Sequence, residues 1–188
     1  MTKEITTALK DYYVRANETE RIILNSALAA AAADAVGGII PGLAIPAIIV
    51  SCFGAVWAMY ASLCSTLGIS LKENVLKLLA RAVLANITAN LGGLLIAMFA
   101  GMFIPGASIL ASAAVSFIAV YLAGIVFLRL ILKMAQKSSD PYTFSDISSS
   151  EMKAAARNIT VTKEDLNAAK AVYEANPSEA HPFRPSKN

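Results

Sequence analysis

Side chains that could do covalent chemistry or bind a metal are few and far apart in this sequence. His181 is the single histidine, and it lies among prolines in the polar part of the chain. Cys52 and Cys64 are the only cysteines. A nucleophilic serine or cysteine needs a neighbouring base, and the hydrophobic part of the chain has no histidine to supply one. Metal sites need several convergent ligands. The sequence therefore predicts that the protein is not an enzyme and uses no metal or cofactor.

The motifs and the charge of the sequence argue against two further classes of protein, nucleotide hydrolases and nucleic-acid-binding proteins. The chain has no Gly-x-x-x-x-Gly-Lys-Ser/Thr phosphate loop, so we do not expect it to hydrolyse nucleotides itself. The net charge is only +3, and no stripe of Lys and Arg is interleaved with aromatic residues. Such a stripe is the usual signature of a nucleic-acid surface, so we expect no nucleic-acid partner.

Two long stretches of the chain, 35–71 and 82–128, contain no charged residue. The whole chain is 56% hydrophobic and 15% charged, whereas soluble domains carry about 25% charge. An apolar run of about 18 residues is already a candidate membrane helix. The two stretches therefore predict a protein that is embedded in, or associated with, a lipid membrane.

Proline and glycine divide these stretches into helices. The tripeptide Ile-Pro-Gly occurs twice, once with Pro41 and Gly42 and once with Pro105 and Gly106, and such pairs mark turns. Each apolar stretch therefore predicts a helical hairpin that turns at an Ile-Pro-Gly, and no strand pattern is present. The predicted helices are 22–36, 43–67, 71–103 and 107–136.

The flanking segments differ in character from the hairpins. An amphipathic helix is predicted over 3–21, where Ile5, Leu9 and Tyr12 recur on one face. After the last apolar helix the composition changes to serine, proline and charged residues. We therefore predict an all-α protein with an amphipathic N-terminal helix (1–21), a hydrophobic double-hairpin membrane domain (22–136) and a polar, partly helical C-terminal tail (137–188).

Two short helices are predicted in the tail. Ser148 and Glu151 have the spacing of a capping box, which predicts a helix over 149–157. Thr162 is in place to cap a second helix over 163–175. A disordered linker is the alternative interpretation, because serine, proline and charge dominate the tail.

The proline-rich end of the tail is a candidate docking segment. Phe183 and Arg184 lie between Pro182 and Pro185, so their backbone is restricted to extended conformations. An aromatic anchor on such a low-entropy strand is typical of a peptide that binds in a groove. We expect the tail to pack on a neighbouring subunit or on a cytoplasmic partner.

The hairpin topology places all the charged helix ends on one side. Lys and Arg concentrate on the cytoplasmic side of membranes, so we expect both hairpins to enter from the cytoplasm. The N-terminal residues are too charged for a signal peptide, which agrees with that location. The alternative to two hairpins is a set of three membrane-spanning helices, 43–67, 82–104 and 107–128. The positive residues on the proposed cytoplasmic side are Arg15, Arg21, Lys72, Lys77, Arg81, Arg129, Lys133 and Lys137.

Polar and small residues within the hydrophobic part are candidate sites. Asp34 lies just before the first turn, where an ionisable group at membrane depth is a functional hypothesis by default. The simpler interpretation is that it finds water or backbone donors at a helix end. A second set recurs at three- and four-residue steps on one helix face and permits either close helix packing in a homo-oligomer or the lining of an aqueous path. This set is Asn86, Asn90, Gly93, Ala97 and Gly101.

Several short motifs resemble a known family. They are the alanine-rich segment 30–42, Ile45-Pro46, the connection 67–73, the second turn 103–107 and Tyr121-Leu122-Ala123-Gly124. Together, over residues 20–130, they resemble the bacterial domain of unknown function that is attached to, or encoded beside, Era-like and YcjF-type GTPases. The resemblance implies membrane association near a GTPase and brings no catalytic residues. The chain departs from the pattern in having Leu43-Ala44 where an Asp often follows the first Ile-Pro-Gly.

These observations predict a non-enzymatic, membrane-associated, self-assembling structural or adaptor protein. We expect lipid, further copies of the chain and a GTPase or other cytoplasmic protein as partners. The alternative is a pore-forming or channel protein, since such toxins also insert an apolar hairpin that amphipathic helices surround. In that case Asp34, Asn86 and Asn90 would line the conduit.

Overall fold

The computed structural model describes residues 2–36, 52–99 and 108–176, with side chains from 14–34, 52–91, 93 and 112–176. These residues form six helices and no strand, so the all-α prediction is confirmed for this part of the chain. The predicted turn residues Pro41, Gly42, Pro105 and Gly106 lie outside it. The helices are α1 (Thr2–Val36), α2 (Phe53–Leu67), α3 (Glu73–Phe99), α4 (Ser108–Ala135), α5 (Ser149–Arg157) and α6 (Lys163–Ala175).

Helix α1 joins the predicted amphipathic and alanine-rich segments without a break. Nothing in the sequence between the two segments stops a helix, because no glycine or proline occurs before Gly37. Helix α2 ends at Gly68, which adopts a left-handed φ of 70° and closes the helix with bonds to the carbonyls of Cys64 and Ser65. A left-handed residue after the last turn is the common way to end a helix, and glycine adopts it without steric cost.

Helix α4 is the centre of the structure, and it contacts each of the other five helices. Its residues from Ala113 to Val120 are all buried, and most of them are small or β-branched. Of the described residues, only the helical span Ser112–Ala135 is long and apolar enough to cross a membrane, and it is mostly buried inside the protein. A buried core helix of a soluble protein has the same length and composition.

Two close contacts fix α4 against its neighbours. A Cβ atom at Gly124 would lie only 2.7 and 2.8 Å from the Cγ1 and Cγ2 atoms of Ile23, so α1 approaches α4 directly over this glycine. On α2, the fully buried Tyr60 stacks on Phe127 with ring centroids 4.0 Å apart. The Tyr60 hydroxyl donates to the Ala123 carbonyl at 3.0 Å, so this buried polar group is satisfied.

The four long helices alternate in direction. Asp34 meets Ser116 while Ile23 meets Gly124, so α1 and α4 are antiparallel. Lys77 lies over the ring of Trp57, and Arg81 lies over that of Phe53, so α2 and α3 are antiparallel too. One cavity is lined by the middle of α1, the end of α2 and the end of α4, so these three segments share one end of the bundle. The end of α1, the start of α2, the end of α3 and the start of α4 therefore lie toward the opposite end of the bundle.

The contact at Gly124 yields a stability prediction. Gly124→Ala is expected to destabilise the fold by about 1–3 kcal/mol, because the stiff Ile23 side chain cannot move aside cheaply. Gly93→Ala is the matched control: Gly93 is also helical, but nothing lies within 4 Å of its added Cβ. Urea unfolding measures both variants. Equal effects in the two, or no relief of Gly124→Ala by Ile23→Ala, would contradict the contact.

Candidate functional site

Asp34, near the uncharged end of α1, forms a hydrogen bond with α4. The hydroxyl of the fully buried Ser116 donates a hydrogen bond to its Oδ2 atom. The carboxylate of Asp34 is itself half-buried. This hydrogen bond links the end of α1 to the first half of α4.

Asn86 binds the end of the tail helix α5. Its side chain is buried, and its Nδ2 atom donates to the carbonyl oxygens of Ala156 at 3.0 Å and Ile159 at 2.8 Å. The last carbonyls of a helix have no partner within the helix, so an amide from α3 satisfies groups that burial would otherwise leave unpaired. Asn90 donates to both the backbone and the side-chain oxygen of Asn86, which orients the amide.

The remaining members of the predicted set make no such contact. Gly93 is exposed, and a side chain there would meet open space. Position 97 lies on α3, but its side chain is outside the described set, and Gly101 lies outside the described residues altogether. At Gly93, therefore, no described helix of the same chain makes the close approach that the spacing predicted.

Helix α6 is held along α4 by an ion pair at one end and an aromatic contact at the other. Arg129 donates two hydrogen bonds to Asp165, at 2.8 and 2.6 Å. At the other end of α6 the ring of Tyr173 packs on Phe117, with centroids 5.1 Å apart. The two contacts run in opposite order along the two helices, so α6 lies antiparallel to α4.

The Asp165 side chain also takes part in the N-terminal cap of α6. Its carboxylate accepts the backbone N–H of Thr162 at 3.0 Å, and the Thr162 hydroxyl accepts the N–H of Asp165 at 3.2 Å. The hydrogen bonds from Arg129, with further help from Thr162, lower the pKa of Asp165 from 3.8 to about 2. The predicted helices 149–157 and 163–175 are confirmed, as are the capping box at Ser148 and the cap at Thr162. Thr162 also forms a capping box, with Asp165.

The tail from 149 to 176 thus packs on its own chain. The prediction that the tail packs on a neighbouring subunit or a partner did not anticipate this contact. Phe183 and Arg184, the predicted docking residues, lie outside the described residues. Sequence reasoning did not pair Arg129 with Asp165 or Tyr173 with Phe117, because the partners are far apart in sequence. Spacing does place Leu166, Ala169 and Tyr173 on one apolar face of α6, and all three are buried.

An apolar groove of about 740 Å³ lies at the charged end of the bundle, between α1, the last turns of α4 and the loop that follows α4. Leu132 and Tyr142 line it, and each is 62% exposed. Val14 on α1 is 51% exposed and does not line the groove. These three are the exposed large hydrophobic residues of the described part. The groove is lined further by Ala16, Thr19, Glu20, Ile23, Leu67, Ile69, Tyr121, Ile125, Leu128, Ile131, Ala135 and Pro141.

Among the described residues, no group of three His, Cys, Asp or Glu side chains is placed to hold a metal ion. No protein-family model, curated protein or solved structure matches the chain. The resemblance to the YcjF-type domain therefore stays a prediction.

The Asn86 contact yields a prediction about the tail. Asn86→Ala removes two hydrogen bonds and leaves buried carbonyls at the end of α5, at a cost of about 1–3 kcal/mol. Hydrogen exchange in residues 149–176 should accelerate while α4 stays protected. Asn74→Ala, an exposed asparagine on the same helix, is the control and should change nothing. Unchanged exchange in the Asn86 variant would mean that the tail is held without this amide.

Acid should loosen the tail through Asp165. The pKa of this carboxyl is lower in the folded protein than in the unfolded chain, so its stabilising effect is full above pH 3.8 and is lost as pH falls toward about 2. Asp165→Asn should reduce that loss, whereas the exposed Glu174→Gln should not. Urea unfolding between neutral pH and about pH 2 measures the slope. Part of the slope will remain in Asp165→Asn, since the pKa of Asp146 is also lowered to about 2 by bonds from Ser138 and Ser139.

Proposed function

We propose that the protein is a non-enzymatic, membrane-associated, self-assembling structural or adaptor protein. Its uncharged end enters the bilayer, and its charged end and tail stay on the cytoplasmic side. The observation that supports this proposal is the separation of charge along the bundle. Because the four long helices alternate in direction, the charged ends gather together and the uncharged ends gather at the other extreme.

The composition of the uncharged end supports contact with lipid. Both turns that connect the helices there fall within the stretches 35–71 and 82–128, which have no charged residue. In the whole segment from 22 to 71 the single charged residue is Asp34, and it has Ser116 as a partner. A charge at membrane depth is tolerated where a neighbouring group satisfies it.

The charged end supports a cytoplasmic location. Positive residues predominate at the start of α3 and at the end of α4, whereas the charges on α1 between residues 15 and 21 are balanced. This bias is the one that cytoplasmic segments of membrane proteins show. The resemblance to the YcjF-type domain supports a GTPase as the cytoplasmic partner, with the docked tail as the surface that is presented to it.

A pore former is the second candidate, and the burial of α4 favours it. The helix that is apolar enough to span a bilayer is covered by five others, as it would be in a form that precedes insertion. Opening would have to release the tail, because Asn86 is already engaged by α5 and cannot line a conduit while α5 is docked. That additional requirement makes the structural role our first choice.

Vesicles that contain phosphatidylglycerol test both proposals in one sample. We expect the protein to float with the vesicles and to resist a carbonate wash without releasing a trapped dye. Ala33→Lys places a charge on the exposed face of α1 at the uncharged end and should weaken binding, because a lysine in the bilayer centre costs about 2.5–3.5 kcal/mol. Ala154→Lys, an exposed site on α5, is the matched control and should bind normally.

The outcomes separate the candidates. Dye release that accompanies binding would favour the pore over the structural role. A monomer that stays in solution without detergent and ignores the vesicles would overturn both.

A further inference from the structure

We propose that the apolar groove binds the N-terminal part of α1 from a second copy of this chain, in a two-fold symmetric dimer. The inference rests on the self-assembly in the proposed function and names the surface that carries it. Two features support it. One is the exposed stretch of α1 at residues 14–18, and the other is the open apolar groove beside it.

The first feature is the exposed part of α1. The helix begins at Thr2, and residues 14–18, the first whose side chains the structure describes, are all exposed. At about 1.5 Å per residue, the helix from Thr2 to Glu18 is roughly 25 Å long. Isolated helices of about 12–15 residues are marginal in water, so a helix of this length needs a surface to pack on.

The sequence of this segment fits an apolar groove. Ile5, Leu9 and Tyr12 follow the helical spacing of three and four residues, with charged positions between them. An amphipathic helix whose apolar positions recur in this way is the usual occupant of a hydrophobic groove.

The second feature is the groove itself. It runs beside α1 along the last turns of α4, and the exposed Leu132 and Tyr142 lie in its walls. Exposed apolar side chains scattered singly need no explanation, but Leu132 and Tyr142 line the same groove. The loop wall is fixed, because the Ser70 amide donates to the Tyr142 carbonyl at 2.8 Å and so ties the loop to the α2–α3 connection.

Charge supports a second copy in antiparallel register as the occupant. With a two-fold axis beside positions 12 and 13, Asp11 of one copy comes opposite Arg15 of the other. Arg15 is exposed and lies on the groove rim. Such an interface is isologous, so the same pairing occurs twice and closes the assembly at two copies.

A charge-exchange experiment tests the pairing between chains. Asp11→Arg alone sets like charges opposite Arg15, and Arg15→Glu alone sets like charges opposite Asp11, so each variant should dimerise several-fold more weakly than the wild type. When the two variants are mixed, both contacts become attractive again. Native mass spectrometry should then show mainly mixed dimers, a result that an ion pair within one helix cannot produce.

A second variant tests the groove. Leu132→Glu buries a charge without a partner in the proposed interface and should weaken the dimer about tenfold or more. Ala154→Glu carries the same new charge on the exposed face of α5 and should leave the dimer unchanged. Circular dichroism confirms that each variant is folded before association is measured.

The results distinguish this interface from self-assembly in general. If the wild type assembles, but Leu132→Glu assembles equally well and the mixed variants form no excess of mixed dimers, this interface is wrong and self-assembly stands. If the wild type is monomeric in buffer, in detergent and on vesicles, both the interface and the self-assembly are overturned. Vesicle binding is scored separately and decides the membrane part of the proposed function.

Discussion

The structure depends on the need to cover α4 on every side. Residues 107–128 contain no charge, and the helix they belong to has no polar face that water could solvate. Three neighbouring elements bury different parts of α4. Helix α1 comes close because Gly124 has no side chain, α2 covers Phe127 with Tyr60, and the tail brings Tyr173 onto Phe117. The other five helices are arranged around α4, and each of them contacts it.

Such a tight apolar centre tolerates few polar groups, and several of those present are paired with main-chain atoms or with one another. Among the described residues, the Thr19 hydroxyl and the Trp57 indole N–H are buried without a hydrogen-bond partner. The Tyr60 hydroxyl has a carbonyl of α4, the Asn86 amide has two carbonyls at the end of α5, and Asp34 has Ser116. Each pair also joins two elements that are distant in sequence. Because a buried group that loses its partner costs more than the bond itself contributes, these pairs specify which helices meet as well as how firmly.

The sequence predicted local structure well and long-range contacts poorly. Helix ends at Gly68, Ser148 and Thr162 were accessible because a left-handed glycine or a capping box is a local signal. The continuous α1 followed from the absence of a breaker. By contrast, nothing in the sequence near Arg129 shows that its partner is Asp165, 36 residues later. The amphipathic pattern of the tail helices is equally compatible with packing on a partner protein and with packing on their own chain. Asn86 was singled out as a candidate for helix packing or for lining an aqueous path, but its hydrogen bonds to the end of α5 could be seen only in the fold.

Because Asp165 bonds both Thr162 and Arg129, the formation of α6 and its docking on α4 are coupled. The same carboxylate closes the first turn of α6 through Thr162 and accepts the guanidinium of Arg129. Helix formation in the tail therefore orients the acceptor that Arg129 needs, and docking in turn holds the residue that closes the helix. Folding and docking of α6 are thermodynamically linked, so the tail should leave α4 as a cooperative unit rather than by gradual fraying. Any ligand that competes for Arg129 would act on the secondary structure of the tail from a distance.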